Sequence, residues 1–127
     1  MVKIILMLIA VIYALNALLM WFAPQYWYDT TPGVSMMGPF NLHFIRDVAL
    51  TYLMASGAFI WAVRRDIRIV GLVGAAWPCM HALFHIQIWI ARGLPLDDIT
   101  ATNLVAIQLP AWGALYLVTK LKQSPTL

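Results

Sequence analysis

The apolar positions of this chain fall into four long, nearly continuous runs, unlike the strict alternation of a half-buried strand or the single stripe of a soluble surface helix. They cover positions 3–24, 43–63, 69–91 and 99–121, each close to the roughly 20 residues a helix needs to cross a hydrocarbon core. In lipid each backbone N–H and C=O must be bonded within its own segment unless a barrel closes, so these runs predict transmembrane helices. Barrel strands alternate with a period of two, and these runs do not. The expected fold is all-α: an integral membrane, antiparallel four-helix bundle forming one transmembrane domain over 1–127, with no room for a second folded unit. Pro78 and Pro110 fall inside the third and fourth runs and should loosen their helices there.

Composition agrees with that reading. Of the 127 residues, 63% are hydrophobic and 10% charged, against roughly a quarter charged in a soluble domain. Lys3 followed by an apolar stretch resembles a signal peptide, but the stretch is longer than a signal's and no small-x-small site precedes Pro24, so retention is expected. Arg64, Arg65 and Arg68 crowd the second connection, Lys3 begins the first run, and Lys120 and Lys122 end the fourth. These places share one side of a four-pass chain. The positive-inside rule therefore predicts both termini in the cytoplasm, here of a bacterial inner membrane. The expected partners are the lipid bilayer and other membrane subunits or a second copy, with no nucleic acid.

The first connection, 25–42, places Tyr26, Trp27 and Tyr28 at the headgroup layer and then a turn at Thr30-Thr31-Pro32-Gly33, which predicts a short re-entrant or surface-lying loop. Cys79 is the single cysteine, so no intrachain disulfide or CxxC pair forms, and it reads as a small buried apolar residue.

Polar residues within apolar runs carry the functional information, because each is costly when turned toward lipid. They are Asn16, then His43, Arg46 and Asp47, then His81 and His85, then Asn103 and Gln108. The chain contains no Glu, so Asp47 is the only acid in a membrane run. At 1.5 Å per residue from the periplasmic ends, Asp47 and Asn103 lie about 6 Å deep, His85 about 9 Å, Asn16 about 12 Å and Gln108 about 13 Å. His43 and Arg46 sit above that layer and His81 below it. A polar periplasmic half thus adjoins a dry cytoplasmic half of small residues such as Ala55, Ser56, Gly57, Gly71 and Gly74.

His43 and Asp47 are four apart, as are His81 and His85, so each pair shares a helix face. That spacing fits a structural polar network, a redox cofactor or quinone headgroup, or a metal held by His43, Asp47 and His85. A haem bound through two axial histidines needs a second chain, since His81 and His85 share one face and His43 lies well above them. Arg46 points about 100° away from Asp47 and either snorkels to lipid phosphate or contacts an anion or quinone carbonyl. Tyr13, Trp21, Trp77 and Trp89 offer aromatic walls.

The stretch Asn41-Leu42-His43-Phe44-Ile45-Arg46-Asp47, with Tyr52-Leu53, Trp77-Pro78 and His81-Ala82-Leu83-Phe84-His85, resembles a group of short bacterial inner-membrane proteins. These are distantly similar to the DoxX-like four-helix proteins. The resemblance covers most of the chain and implies a redox-associated accessory role without assigning catalytic residues.

Three functions follow as expectations: an accessory or assembly subunit of a larger, redox membrane complex; a binding protein for quinone, haem or metal in the periplasmic half; or a small oligomeric transporter, for which no polar path reaches the cytoplasmic face. The sharpest structural expectation is that Asp47 and His85 face each other inside the bundle, with His43 capping the same cavity and Asn16 bordering it.

Overall fold

In the computed structural model, which describes residues 1–122, the chain is helical almost throughout. Helix α1 covers Val2–Phe22 and a short α2 covers Pro24–Thr30; α3 covers Leu42–Arg65 and α4 covers Arg68–Ala91. The last span comprises α5 (Asp98–Thr102), a π-helical segment (Asn103–Gln108) and α6 (Leu109–Thr119). Four stretches are long and apolar enough to cross a membrane: Val2–Phe22, Leu42–Arg65, Arg68–Ala91 and Asp98–Thr119. Each coincides with a predicted run. Positions 123–127 of the expected domain lie outside the described residues.

Local chemistry sets the ends. Pro24 opens α2 at a position whose N–H has no helical partner to lose. The Asn41 side chain accepts from the Phe44 N–H at 3.1 Å and caps α3. That helix stops at Asp66, whose φ of 54° is left-handed, a conformation its short polar side chain tolerates. Asp97 caps α5 by accepting from the Thr100 N–H at 2.9 Å.

Helix α1 packs on α3, α3 on α4 and α4 on α6, and α6 also meets α1. Rising positions of α1 meet falling positions of α3: Lys3 bonds Asp66 at 2.7 Å, Ala10 accepts from Ser56 at 2.7 Å, and the Tyr13 and Tyr52 rings lie 5.1 Å apart. Alanine is the commonest core residue, with Ala10, Ala49, Ala55, Ala62, Ala82 and Ala114 among the buried positions, and Phe59 is the largest side chain that is fully buried. Lipid tails are as apolar as leucine, so helices gain by close van der Waals approach, which small residues permit. Two glycines mark the tightest places. A Cβ on Gly71 would meet Val118 at 2.8 Å, and one on Gly74 would meet the Ala58 Cβ at 2.7 Å. Gly57, expected to pack in the same half, is exposed with nothing within 4 Å of such a Cβ.

The two interior prolines behave differently. Helix α4 continues through Pro78. Ahead of Pro110 the turn widens, and the Leu109 N–H bonds the Leu104 carbonyl, five residues back. A proline ring clashes with the carbonyl four residues before it in a regular α-helix, and a wider turn is one way to relieve that clash.

Replacing Gly74 with Val should lower stability by about 1–3 kcal/mol through overpacking, whereas Gly57→Ala should be neutral or stabilising. Thermal melts in detergent compare them; equal melts would mean that α3 and α4 are not in close contact.

Candidate functional site

The polar residues of the apolar runs separate into those the fold consumes and those it leaves available. Gln108 is consumed. Its amide donates to the Ala82 carbonyl at 2.8 Å and to Asn103 Oδ1 at 3.0 Å, and its oxygen accepts from Trp112 Nε1 at 2.9 Å. Gln108 fastens the last span to α4, and Asn103 steadies the Gln108 amide from within the same span. Asn16 is consumed too. Its oxygen accepts from Trp27 Nε1 at 3.1 Å and its amide contacts the Met20 sulfur at 3.5 Å, which folds α2 back onto α1.

His43, Arg46 and Asp47 occupy the outer face of α3. At about 100° per residue Asp47 points away from the buried Ile45, Ala49 and Tyr52. Its carboxylate lies 3.3 Å from His43 Nε2 of its own helix, and the two side chains are 59% and 88% exposed. The Arg46 guanidinium sits 5.1 Å from the centre of the Trp21 ring on α1. Together with Leu42 and Leu50 these residues line a groove of about 420 Å³ between the two helices. Asp47 therefore does not face His85, and His43 and Asn16 do not enclose a cavity with them. The metal site expected from His43, Asp47 and His85 is not formed; among the described residues no group of three or more His, Cys, Asp or Glu side chains is placed to hold a metal ion.

His81 and His85 end a column of rings that crosses three helices. Tyr13 of α1 meets Tyr52 of α3 edge to face, and Tyr52 meets Trp77 of α4 at 5.0 Å. His81 stacks on Trp77 at 4.8 Å with planes 11° apart, and His85 follows at 4.6 Å. Both histidines are half-buried, and neither ring takes part in the side-chain hydrogen bonds found among the described residues. Tyr52 belonged to no expected site, yet it joins α1 to α4; the four-residue spacing of Trp77, His81 and His85 was the available sign of a shared face. Trp89 is not a wall of this column, because its indole donates to the Pro95 carbonyl at 2.8 Å and holds the turn after α4.

That turn is tightly built. Gly93 and Leu94 are both left-handed, Arg92 pairs with Asp97, and Thr100 donates its hydroxyl to Pro95 at 2.7 Å. The first connection rests on it, since a Cβ on Gly33 would strike Ile99 at 2.8 Å. The hydrogen bond from Arg92, aided by the Thr100 N–H, pushes the Asp97 carboxyl down to about 2.

A folded-state value below the ordinary carboxylate range of about 4 means that Asp97 stabilises the fold above that range. The contribution is lost as pH falls through about 2. Asp97→Asn should therefore melt below the native protein at pH 6 and converge on it as pH approaches about 2; a gap independent of pH would contradict the ionic cap. Gln108→Met, similar in volume but unable to bond Ala82 or Trp112, should cost about 1 kcal/mol in a detergent unfolding titration, and an unchanged midpoint would show that these bonds hold nothing.

The chain matches no family model, no curated protein and no solved structure.

Proposed function

We propose that this chain is a small integral membrane subunit that packs through α3 and α4 against a larger, redox-active membrane complex. The observation that carries the reading is the pair His81 and His85, half-buried in an apolar run with neither ring hydrogen-bonded among the described residues. An imidazole turned toward lipid is costly, and a neighbouring subunit that bonds it removes the cost. The redox part rests on the likeness of the Asn41–Asp47 and Trp77–His85 stretches to DoxX-like proteins, and on rings spaced about 5 Å apart from Tyr13 to His85.

We place the chain in a bacterial inner membrane as an antiparallel four-helix bundle with both termini cytoplasmic. Six of the eight Lys and Arg residues, Lys3, Arg64, Arg65, Arg68, Lys120 and Lys122, support that orientation. The Lys3–Asp66 ion pair supports the placement of the first two of those groups on one side.

A second reading is favoured by the Trp77–His81 stack: a quinone headgroup lying beside it with a carbonyl accepting from His81 or His85. Haem would require another chain to supply its second axial ligand. A transporter is supported least, because the interior polar groups Ser56 and Gln108 are spent on backbone carbonyls.

Purification in mild detergent, followed by mass spectrometry and an absorption spectrum, separates the readings. Co-purifying membrane polypeptides lost in His81→Phe and His85→Phe support the subunit, a quinone or chromophore lost in the same variants supports the binding protein, and a lone, colourless, unaltered chain contradicts both. With an impermeant thiol reagent on intact cells, Leu96→Cys should label and Arg65→Cys should not; the reverse would invert the topology.

A further inference from the structure

We propose that the groove between α1 and α3 binds the headgroup of a phospholipid bearing a primary ammonium, phosphatidylethanolamine, with the phosphate on Arg46 and the ammonium on Asp47. The site is distinct from the His81 and His85 face and does not depend on it.

Two opposite charges line one groove. Arg46 and Asp47 are successive residues about 100° apart on α3, and His43 and Leu50 lie between their directions. Arg46 is held in place rather than free to wander, because its guanidinium rests on the Trp21 ring at 5.1 Å. Its Nε is covered by the protein and has no hydrogen-bond partner among the described residues. The guanidinium lines the groove and enters none of the side-chain hydrogen bonds or ion pairs found among the described residues, and a phosphate oxygen gives its outward-facing N–H groups an acceptor in the charge-assisted geometry that arginine favours. Among the described residues the Asp47 carboxylate approaches one basic side chain, His43 at 3.3 Å, and it remains 59% exposed. Being acceptor-only when ionised, it has room for a donor that carries positive charge.

Depth selects a lipid. The groove lies in the first turns of α3, and the polar residues lining it are followed at its inner side by the exposed Leu50. The α1 end of the groove, Trp21, is followed directly by α2 with Tyr26 and Trp27, residues suited to the headgroup layer. A molecule filling this groove therefore meets charge at the headgroup level and an apolar wall below it. Charge selects the headgroup. Phosphatidylglycerol would satisfy Arg46 and leave the Asp47 carboxylate beside an anion. Phosphatidylcholine carries a cation but no N–H to donate. Only the ethanolamine headgroup, of these three, supplies an acceptor for Arg46 and a charged donor for Asp47.

The test uses the full chain in mixed micelles containing equal amounts of the three lipids, with retained lipid read by native mass spectrometry. Phosphatidylethanolamine should be retained about tenfold over phosphatidylcholine, the preference one charge-assisted hydrogen bond supplies. Asp47→Asn, on an exposed position that should not disturb folding, should abolish that preference while phospholipid is still retained. Arg46→Gln should lose retained lipid of every kind, and Arg46→Lys should recover part of it. A thermal melt accompanies both Arg46 variants because Arg46 also packs on Trp21, and if Arg46→Gln fails to fold, the Asp47→Asn comparison decides alone. Equal retention of the three lipids, or an undiminished preference in Asp47→Asn, would overturn the proposal. So would soluble glycerophosphoethanolamine displacing the lipid as well as free phosphatidylethanolamine does, since the site would then recognise a free headgroup compound and not the bilayer.

Discussion

Every backbone polar group placed in hydrocarbon must be bonded within the protein, and a side-chain polar group without a partner there is costly; this one constraint organises the chain. Water drives no apolar collapse between helices already surrounded by lipid, so close approach and a few hydrogen bonds must hold them. Both are visible. Gly71 and Gly74 bring α4 against Val118 and Ala58, where even a methyl would collide. Ser56 and Gln108 each reach across to a backbone carbonyl, one joining α3 to α1 and the other joining the last span to α4. The turn that widens before Pro110 ends at Gln108, the residue that bonds Ala82.

The same constraint sorts functional candidates from structural ones. Asn16, Asn103 and Gln108 look alike in the sequence as polar residues in apolar runs, and all three are bonded to side chains or carbonyls of the fold. Among the described residues His81 and His85 are not, although they sit in a run of ring contacts that reaches Tyr13 in the core of the bundle. An unused polar pair beside a packed aromatic column is where an outside partner gains most.

The spans were legible because a run of about 20 apolar residues has one solution in lipid. Helix ends agreed within a few residues because the apolar runs themselves stop near the positions where Asn41, Asp66 and Asp97 end the helices. Radial direction was much less legible. A four-residue spacing shows that His43 and Asp47 share a face, but in lipid the rule that polar faces turn outward does not apply, so the spacing does not say which way that face turns. Near the headgroups a charge can also face outward at little cost, so depth alone could not bring Asp47 to His85. Asn16 was misjudged for a different reason: its partner Trp27 belongs to α2, whose return onto α1 depends on the break at Ala23 and Pro24 and not on apolar pattern.

The claim that most depends on His81 and His85 is that the α3 and α4 face meets another protein. Site-specific photo-crosslinking in intact membranes addresses it directly, with the reactive group placed at Phe84, exposed beside His85, and at Leu8, exposed on α1. The expected result is a discrete protein adduct from position 84 and only lipid adducts from position 8. Lipid adducts alone from both positions, with His81 and His85 unchanged, would contradict it.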